Sequence, residues 1–171
     1  MARGKRKRLA YRRRRSGETD YHRRRKLLRA LKPRAVVRVS NTQVTCQLVN
    51  YSSSGDEVAI NIDGNTLVNK YAWPSSSSRK SLPASYLIGF AMGKAAVASG
   101  DNEAVLDIGL AASVPGSRIF AALKGMLDAG MDIPYGESAI PSDERINGAH
   151  ISDDVSSSIE KTRKKIEGAF K

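Results

Sequence analysis

The sequence of 171 residues predicts an α/β domain with a mixed sheet, a basic N-terminal arm and a C-terminal helix. Three observations support this fold class. Basic residues are concentrated at the start, apolar residues then recur with a period of two, and capped apolar stretches typical of helices flank a short apolar segment. Because hydrophobic residues make up 40% of the sequence, the chain has enough apolar material for a buried core.

The first 32 residues are predicted to form a basic arm with one short helix. Residues 1–38 contain 17 Lys or Arg and two acids, a net charge of +15, whereas residues 39–171 contain 12 basic and 15 acidic residues, a net charge of −3. Residues 1–16 have almost nothing apolar to anchor them and are expected to lack structure on their own. Thr19 as N-cap, Asp20 in the first turn and Pro33 as a stop predict a helix over residues 20–30.

Four strands are predicted beyond the arm, and the first three are expected to form an antiparallel meander. They are marked by β-branched and aliphatic runs between turn residues, which include the tight Asn41-Thr42 hairpin and the stop at Asp63. The predicted strands cover residues 34–40, 43–51, 57–62 and 104–110. Residues 69–80, which include Trp73 and four successive serines, are interpreted as a loop.

Helices are predicted on both sides of the fourth strand and at the C-terminal end. Gly100 and Gly130 are placed as helix stops, and Ser117 as an N-cap. The predicted helices cover residues 83–99, 117–128 and 152–170, and residues 133–150 are interpreted as a loop. Because a helix connects the third strand to the fourth, the fourth strand is expected to run parallel to one strand of the meander, with a right-handed connection.

The order β-β-β-α-β-α plus a terminal helix resembles the ribonuclease H-like fold. We predict three parts of the chain: a basic arm with a short helix at 1–32, an α/β core at 33–132, and a loop with the C-terminal helix at 133–171. Nucleases of that fold hold divalent metal ions with acids on two strands and a core helix. Here only Asp107, in the fourth strand, matches this pattern. We therefore expect no enzyme activity and a structural hydrogen-bonding role for Asp107.

Other motifs that carry chemistry are weak. The stretch from Gly89 to Ala95 is one residue too short for a phosphate-binding loop and lies in a helix, where its small residues are expected to let the helix pack closely on the sheet. His22 and His150 form no recognisable local motif with a Ser or Cys for nucleophilic catalysis. Cys46 lies in an apolar strand and is expected to be a core residue. No metal or other cofactor is predicted.

The chain is expected to be cytosolic. Cys46 is the single cysteine, so no intramolecular disulfide can form, and no apolar run reaches the roughly 20 residues needed to cross a bilayer. The basic N-terminus is not followed by the apolar region of a secretory signal, and the lack of Ser in residues 1–15 argues against an organelle transit peptide. We therefore expect no membrane partner.

The segregated positive charge predicts binding to a polyanion. Arg outnumbers Lys in the arm, and its planar guanidinium pairs with phosphate through two hydrogen bonds and stacks on bases. Tyr11 and Tyr21 lie among these cations, and arginine-rich segments fold as they bind RNA, so RNA is the favoured partner. Composition leaves open a solvated tail or nuclear-localisation signal, and a general nucleic-acid chaperone or DNA-compacting protein.

Several motifs occur in a specific order along nearly the whole chain. They are RRRR at 12–15, TDY at 19–21, PRAVVRVSN at 33–41, GFAMGK at 89–94, FAALKGMLDAGMDIP at 120–134 and RINGAHI at 145–151. This set closely resembles the archaeal-type ribosomal protein L-eighteen family, in its short form without the long C-terminal extension of the eukaryotic relatives. The serine-rich stretches at 52–54 and 75–78 are less typical of that family.

The resemblance implies a non-catalytic protein of the large ribosomal subunit. Such a protein binds 5S rRNA and fixes it to the large-subunit rRNA in the central protuberance, beside neighbouring ribosomal proteins. The resemblance also implies a basic N-terminal segment on RNA, which Arg12 to Arg15 and Arg23 to Arg25 supply here. Composition alone would indicate a polyanion and no particular RNA.

The residues expected to contact RNA come from the arm, the first hairpin and the loop after the third strand. They are Arg3, Lys5, Arg6, Lys7, Arg8, Tyr11, Arg12, Arg13, Arg14, Arg15, Tyr21, His22, Arg23, Arg24, Arg25, Arg29, Lys32, Arg34, Arg38, Asn41, Thr42, Gln43, Trp73, Arg79 and Lys80. The cations are expected to neutralise phosphates. The helix at 20–30 and the sheet edge at the hairpin are expected to supply the shape contacts that select one RNA.

Overall fold

Four strands form one mixed sheet. The computed structural model describes residues 9–170, and its strands are β1 (Arg34–Val39), β2 (Val44–Asn50), β3 (Glu57–Asp63) and β4 (Val105–Asp107). The sheet order is β3-β2-β1-β4; β2 is antiparallel to both β1 and β3, and β4 is parallel to β1. The predicted antiparallel meander and the parallel fourth strand are therefore confirmed.

Strand β4 is shorter than the predicted strand at residues 104–110. The chain leaves the sheet after Asp107 because Gly109 adopts a left-handed conformation with a φ of +62°, which glycine tolerates best. The carboxylate of Asp107 accepts a hydrogen bond from the Gly109 N–H at 2.8 Å and so stabilises this turn. The turn brings the carbonyl of Gly109 to the edge of the sheet that faces the arm.

Seven α-helices and one turn of 3-10 helix, Glu137–Ala139, occur in the described part of the chain. The α-helices are α1 (Arg12–Arg15), α2 (Tyr21–Leu28), α3 (Gly64–Tyr71), α4 (Leu82–Ser99), α5 (Arg118–Asp128), α6 (Asp143–Ile146) and α7 (Asp153–Ala169). Helices α4, α5 and α7 correspond to the three predicted after the arm. The predicted loop at residues 133–150 contains α6 and the 3-10 turn, and it is anchored in the core by Ile133 and Ile146.

The arm is more ordered than its composition predicts. Residues 9–16, expected to lack structure, include the single turn of α1, in which the Tyr11 carbonyl accepts hydrogen bonds from the N–H groups of Arg14 and Arg15 at 3.0 Å. The N-cap of α2 is Asp20 and not Thr19, because the Asp20 carboxylate accepts hydrogen bonds from the N–H groups of His22 and Arg23 in the first turn. Asp20 therefore lies outside the helix.

Helix α3 and the burial of Trp73 differ from the sequence prediction. Asp63, interpreted as a strand stop, is the N-cap of α3, and its carboxylate accepts hydrogen bonds at 2.7 Å from both the N–H and the hydroxyl of Thr66. Residues 69–71 consequently belong to a helix and not to a loop. Ala72 then takes a left-handed conformation that turns the chain back, so that Trp73, 2% exposed, packs in the core.

Helices α4 and α5 cross with their backbones in contact. A Cβ atom on Gly89 would lie 2.0 Å from the Ala122 carbonyl oxygen, and one on Gly125 would lie 2.1 Å from the Tyr86 carbonyl oxygen. The small residues of α4 were expected to permit close packing on the sheet. The partner of Gly89 is helix α5, so this part of the prediction is wrong.

The predicted apolar stripe of the C-terminal helix packs against the domain. Ser152 caps α7, and Ile159 and Ile166 are buried in the same core cluster as residues of the sheet and of α4. Val155 and Phe170 pack at its edge. The core therefore continues past residue 132 into the C-terminal segment. Among residues 9–170 no helix combines the length and the apolar character needed to span a membrane.

Candidate nucleic-acid interface

The two helices of the arm fold back on each other. The rings of Tyr11 and Tyr21 lie 5.2 Å apart between centroids, tilted by 45°. The Nε of Arg13 donates a hydrogen bond to the Thr19 hydroxyl at 2.9 Å, across the turn between the helices. The two tyrosines, which the sequence predicts to contact RNA, pack against each other and brace the arm.

Helix α2 begins at an acid that is held ionised. The carboxylate of Asp20 accepts hydrogen bonds from the N–H groups of Arg23 at 3.1 Å and His22 at 2.9 Å. The bond from Arg23 contributes most to lowering the pKa of Asp20 from its ordinary value of 3.8, against a smaller opposing effect of desolvation. These two N–H groups of the first turn of α2 therefore have hydrogen-bond partners within the protein.

Most cations of the arm point into solvent. Neither α1 nor α2 contains a buried residue. The exposed basic side chains of the arm among those predicted to contact RNA are Arg12, Arg13, Arg14, Arg15, His22, Arg23, Arg25, Arg29 and Lys32. Lys26 is exposed on α2 and is missing from the predicted RNA contacts. Its charge and its place among the arginines of α2 were enough to identify it.

Six Arg and Lys side chains of the arm make neither an ion pair nor a side-chain hydrogen bond within the described residues, and we call them the outward cations. They are Arg12, Arg14, Arg15, Arg25, Lys26 and Arg29. By contrast, Arg13 lies 3.8 Å from Glu18, and Lys32 pairs with Glu103 at 2.6 Å. Hydrogen bonds to Glu103 raise the pKa of Lys32. The outward cations are therefore the arm cations whose side chains have no polar partner among residues 9–170.

An ion-pair chain of alternating sign joins α2 to the sheet. Nη2 of Arg24 lies 2.8 and 2.9 Å from the two carboxylate oxygens of Asp56, and Arg34 lies 2.6 Å from the same carboxylate. Arg34 also pairs with Asp107 at 2.8 Å, and Asp107 pairs with Arg38 at 3.0 Å. Three arginines and two aspartates thus connect the arm, the turn before β3, strand β1 and the end of β4.

Burial increases toward the middle of this chain of ion pairs. The side chains of Arg34 and Asp107 are 4% and 8% exposed, those of Asp56 and Arg24 are 27% and 32% exposed, and that of Arg38 is 47% exposed. The hydrogen bond from Arg24, with a further contribution from Arg34, lowers the pKa of Asp56 although desolvation opposes it. Burial raises the pKa of Asp107, but the charge of Arg38 and hydrogen bonds from Gly109, Arg38 and Arg34 outweigh it and hold that pKa below 3.8.

An open cleft of about 410 Å³ lies between the arm and the edge of the sheet at β1 and β4. Arg23 donates a hydrogen bond across it to the Gly109 carbonyl oxygen at 2.5 Å. Its lining combines arginines with an apolar wall that includes Leu27, Val37 and Ile108. Arg34 and Arg38 reach this cleft from the sheet, so the arm and the sheet contribute to one surface.

The hairpin after β1 forms a second polar region. The Ser40 hydroxyl accepts a hydrogen bond from the Gln43 N–H at 3.0 Å, which leaves Asn41 and Thr42 exposed at the tip. Lys80 donates to the Asn41 carbonyl oxygen at 2.6 Å.

The remaining candidates of this region contact the protein. Arg79 hydrogen-bonds the side-chain oxygen of Asn65, and Gln43 is partly buried and donates to Asp63 at 3.3 Å. Trp73 lies in the core, away from this surface. The sequence indicates the hairpin tip and the pair Arg79-Lys80 as separate candidates. In the structure Lys80 contacts the hairpin tip at Asn41, whereas the side chains of Arg79 and Gln43 are bonded to other residues of the protein.

Other candidate groups lie apart from these surfaces. Burial raises the pKa of the Cys46 thiol, which is fully enclosed in the core as predicted. His150 is exposed. No group of three or more His, Cys, Asp or Glu able to hold a metal ion occurs in residues 9–170. Arg3, Lys5, Arg6, Lys7 and Arg8 lie outside the described residues.

The fold and the outward cations define a basic α/β protein with a surface suited to binding a polyanion. A family model described as "Ribosomal large subunit proteins 60S L5, and 50S L18" matches residues 5–102 and 98–136. The chain belongs to this family. It is therefore a structural component of the large ribosomal subunit and not an enzyme.

Full-length relatives agree with this assignment. The chain is 44% identical over 172 residues to the large ribosomal subunit protein uL18 of Methanothrix thermoacetophila, which covers 98% of this chain and 100% of the relative. It is 45% identical to the uL18 protein of Methanothermobacter thermautotrophicus, over 88% of this chain and 77% of the relative. It is 46% identical to the uL18 protein of Methanoculleus marisnigri, over 90% and 86%.

Proposed function

We propose that this protein binds 5S rRNA through the outward cations and helps attach it to the large-subunit rRNA in the central protuberance, beside neighbouring ribosomal proteins. The observation that carries the proposal is the presence of six exposed cations that have neither an ion pair nor a side-chain hydrogen bond among residues 9–170, on an arm held against a folded domain. Arginine is well suited to phosphate because its planar fork makes paired hydrogen bonds. Because the chain belongs to a family of ribosomal proteins, RNA is the polyanion that these cations are expected to contact.

The proposed interface is narrower than the list drawn from the sequence. Arg34 and Trp73 are omitted because their side chains are buried. Arg24 and Arg38 are assigned mainly to ion pairs within the protein, and Asn41 and Thr42 remain as exposed tip contacts. The basic residues 3–8 continue the arm in sequence and are included on charge alone.

The three segments of the chain have different proposed tasks. Residues 1–32 neutralise phosphates, residues 33–132 present the cleft and the hairpin tip, and residues 133–171 complete the core. Deleting residues 1–32 should leave a folded domain whose affinity for 5S rRNA is greatly reduced. Circular dichroism and filter binding on the same preparation measure these two effects. Unchanged affinity would show that the arm is not part of the interface.

A competition experiment tests the choice of RNA. Labelled 5S rRNA is bound to the full chain at physiological salt and displaced with an excess of unlabelled 5S rRNA, transfer RNA or duplex DNA. We expect only unlabelled 5S rRNA to displace the label efficiently. If the arm makes six to ten phosphate contacts, affinity should fall by roughly a thousandfold or more between 50 and 200 mM salt.

A general nucleic-acid chaperone or DNA-binding protein is the second candidate. It is favoured by the exposure of the outward cations, because phosphate contacts carry no sequence information. Equal displacement of the label by all three competitors would support this candidate and contradict selective binding of 5S rRNA.

A further inference from the structure

The acid Asp56 connects the basic arm to the sheet. We infer that Asp56 is a positioning residue for RNA binding: it holds α2 against the domain so that the outward cations are arranged before RNA arrives. This inference rests on the proposed function of the arm. It assigns to an acid, which should repel RNA, a role in increasing the affinity for RNA.

The arm needs such a connection because little apolar contact holds it. Neither of its helices has a buried residue, and an isolated helix as short as the eight residues of α2 is unstable in water. The contacts that tie α2 to the domain are polar: Arg24 with Asp56, and Arg23 with the Gly109 carbonyl oxygen. The first involves both oxygens of a carboxylate and is the stronger type of hydrogen bond.

Asp56 is suited to this task because its own position is fixed from the other side. Arg34, 4% exposed, lies 2.6 Å from it and is itself fixed by Asp107. The carboxylate is therefore held in place by a buried cation while it accepts hydrogen bonds from Arg24 on the arm. The contact joins a short exposed helix to the buried part of the sheet. Helices with few buried contacts are the segments that unfold locally most easily.

Two physical effects predict opposite results when Asp56 loses its charge. Removing an acid beside a cationic surface weakens repulsion of RNA and should increase affinity. Releasing α2 means that RNA must order the helix as it binds, and this entropy cost should decrease affinity. Because the Arg24–Asp56 contact is partly buried and bonds both carboxylate oxygens, we expect the second effect to dominate.

The main test compares Asp56→Asn with Glu57→Gln in the full chain. Glu57 is the next residue, is exposed, and makes no ion pair within the described residues, so both variants lose one negative charge at nearly the same place. We expect Asp56→Asn to bind a 5S rRNA transcript roughly tenfold more weakly than the wild type. Glu57→Gln should bind equally or slightly more tightly. Equal or tighter binding by Asp56→Asn than by Glu57→Gln would overturn the inference.

Two further readouts distinguish positioning from a general loss of structure. The slope of log affinity against log salt should be unchanged in Asp56→Asn, because no phosphate contact is removed. Without RNA, trypsin should cleave the arm of Asp56→Asn several-fold faster than that of Glu57→Gln. Equal cleavage rates would show that Asp56 does not hold the arm.

A charge-preserving pair of variants covers the case in which Asp56→Asn does not fold. Arg24→Lys keeps the positive charge but loses the guanidinium that contacts both oxygens of Asp56, whereas Arg25→Lys makes the same change on an exposed arginine without an ion pair. We expect Arg24→Lys to weaken RNA binding more than Arg25→Lys and to speed cleavage by trypsin. Equal effects of the two variants would contradict the inference.

The same experiments separate this inference from the proposed function. If the wild-type chain does not prefer 5S rRNA, the proposed function fails, whatever Asp56→Asn does to trypsin cleavage. If the wild type binds 5S rRNA selectively and Asp56→Asn binds as tightly as Glu57→Gln, the inference fails and the proposed function stands.

Discussion

The arginines of the arm and those of the sheet have the same chemistry and opposite surroundings. Arg14, Arg15 and Arg25 are exposed and have no ion-pair partner among residues 9–170. Arg34 is buried between two carboxylates, and Arg38 is paired with one of them. A count of positive charges treats all five alike. The comparison shows that charge becomes available to a partner only where the protein does not already neutralise it.

The difference is also one of energy. A buried charge stays ionised only with close partners, and removing one partner leaves a desolvation penalty uncompensated. An exposed charge in water costs little to keep and little to remove. The buried Arg34 of the sheet should therefore matter mainly for folding, and the outward arginines of the arm for binding.

The largest expected effect is on stability, in Asp107→Asn. Its carboxylate is 8% exposed and pairs with both Arg34 and Arg38, so the amide leaves the buried Arg34 guanidinium with only Asp56 as a charged partner. We expect the free energy of unfolding to fall by about 3 kcal/mol. Urea unfolding measures it, with the exposed Asp132→Asn as a control that loses the same charge. Equal stability of the two variants would show that the ion-pair chain adds nothing to folding.

The second prediction concerns the outward cations. Replacing Arg14, Arg15, Arg25 and Arg29 with Gln should weaken binding to 5S rRNA roughly a hundredfold at physiological salt, because several phosphate contacts are lost. Stability should hardly change, since none of the four is buried.

A matched control for this variant removes four exposed cations outside the arm, on α5 and α7. These are Arg118, Lys161, Lys164 and Lys165. If this control weakens binding as much as the arm variant does, net charge and not the arm determines affinity. Fluorescence anisotropy on the two variants in parallel gives the answer.

The sequence predicts the helices and strands better than it predicts which arginines are paired. Period-two runs and turn residues identified β1, β2 and β3, and the apolar helices α4 and α5 stand out because they are long and capped. Helix α3 was missed because Asp63-Gly64 is typical of both a turn and a helix start, and the difference depends on whether Asp63 accepts from Thr66.

The candidate site was predictable in composition but not in geometry. Local charge density identified the arm, and most of its cations are exposed. The partners of Arg34 and Arg24 could not be found by spacing, because Asp56 and Asp107 lie 22 and 73 residues from Arg34 in sequence. Only the pairing of β1 with β4 brings Arg34 and Asp107 together. A long-range ion pair leaves no local signal in the chain.

The third prediction is a loss of stability in acid. The pKa values of Asp56 and Asp107 lie below their ordinary value of 3.8 in the folded protein. Their stabilising contribution is therefore complete above that value and is lost as the pH falls through the folded pKa values. Urea unfolding at about pH 6 and about pH 3 should show a smaller drop in Asp107→Asn than in the wild type. An identical drop in both would assign the acid sensitivity to other groups.

The smallest expected effect concerns the exposed acid of the arm, Glu18. It lies 3.8 Å from Arg13, and the two side chains are 54% and 63% exposed, so the pair adds little to stability. Glu18→Gln should leave unfolding unchanged and tighten binding to 5S rRNA by about twofold to threefold, because Arg13 is released and one repulsive charge is removed. An exposed acid on the arm and an acid beneath the arm thus have opposite expected effects, since only Asp56 holds the arm in place. If Glu18→Gln and Asp56→Asn change RNA affinity in the same direction, local charge alone controls binding and the distinction between the two sets of arginines fails.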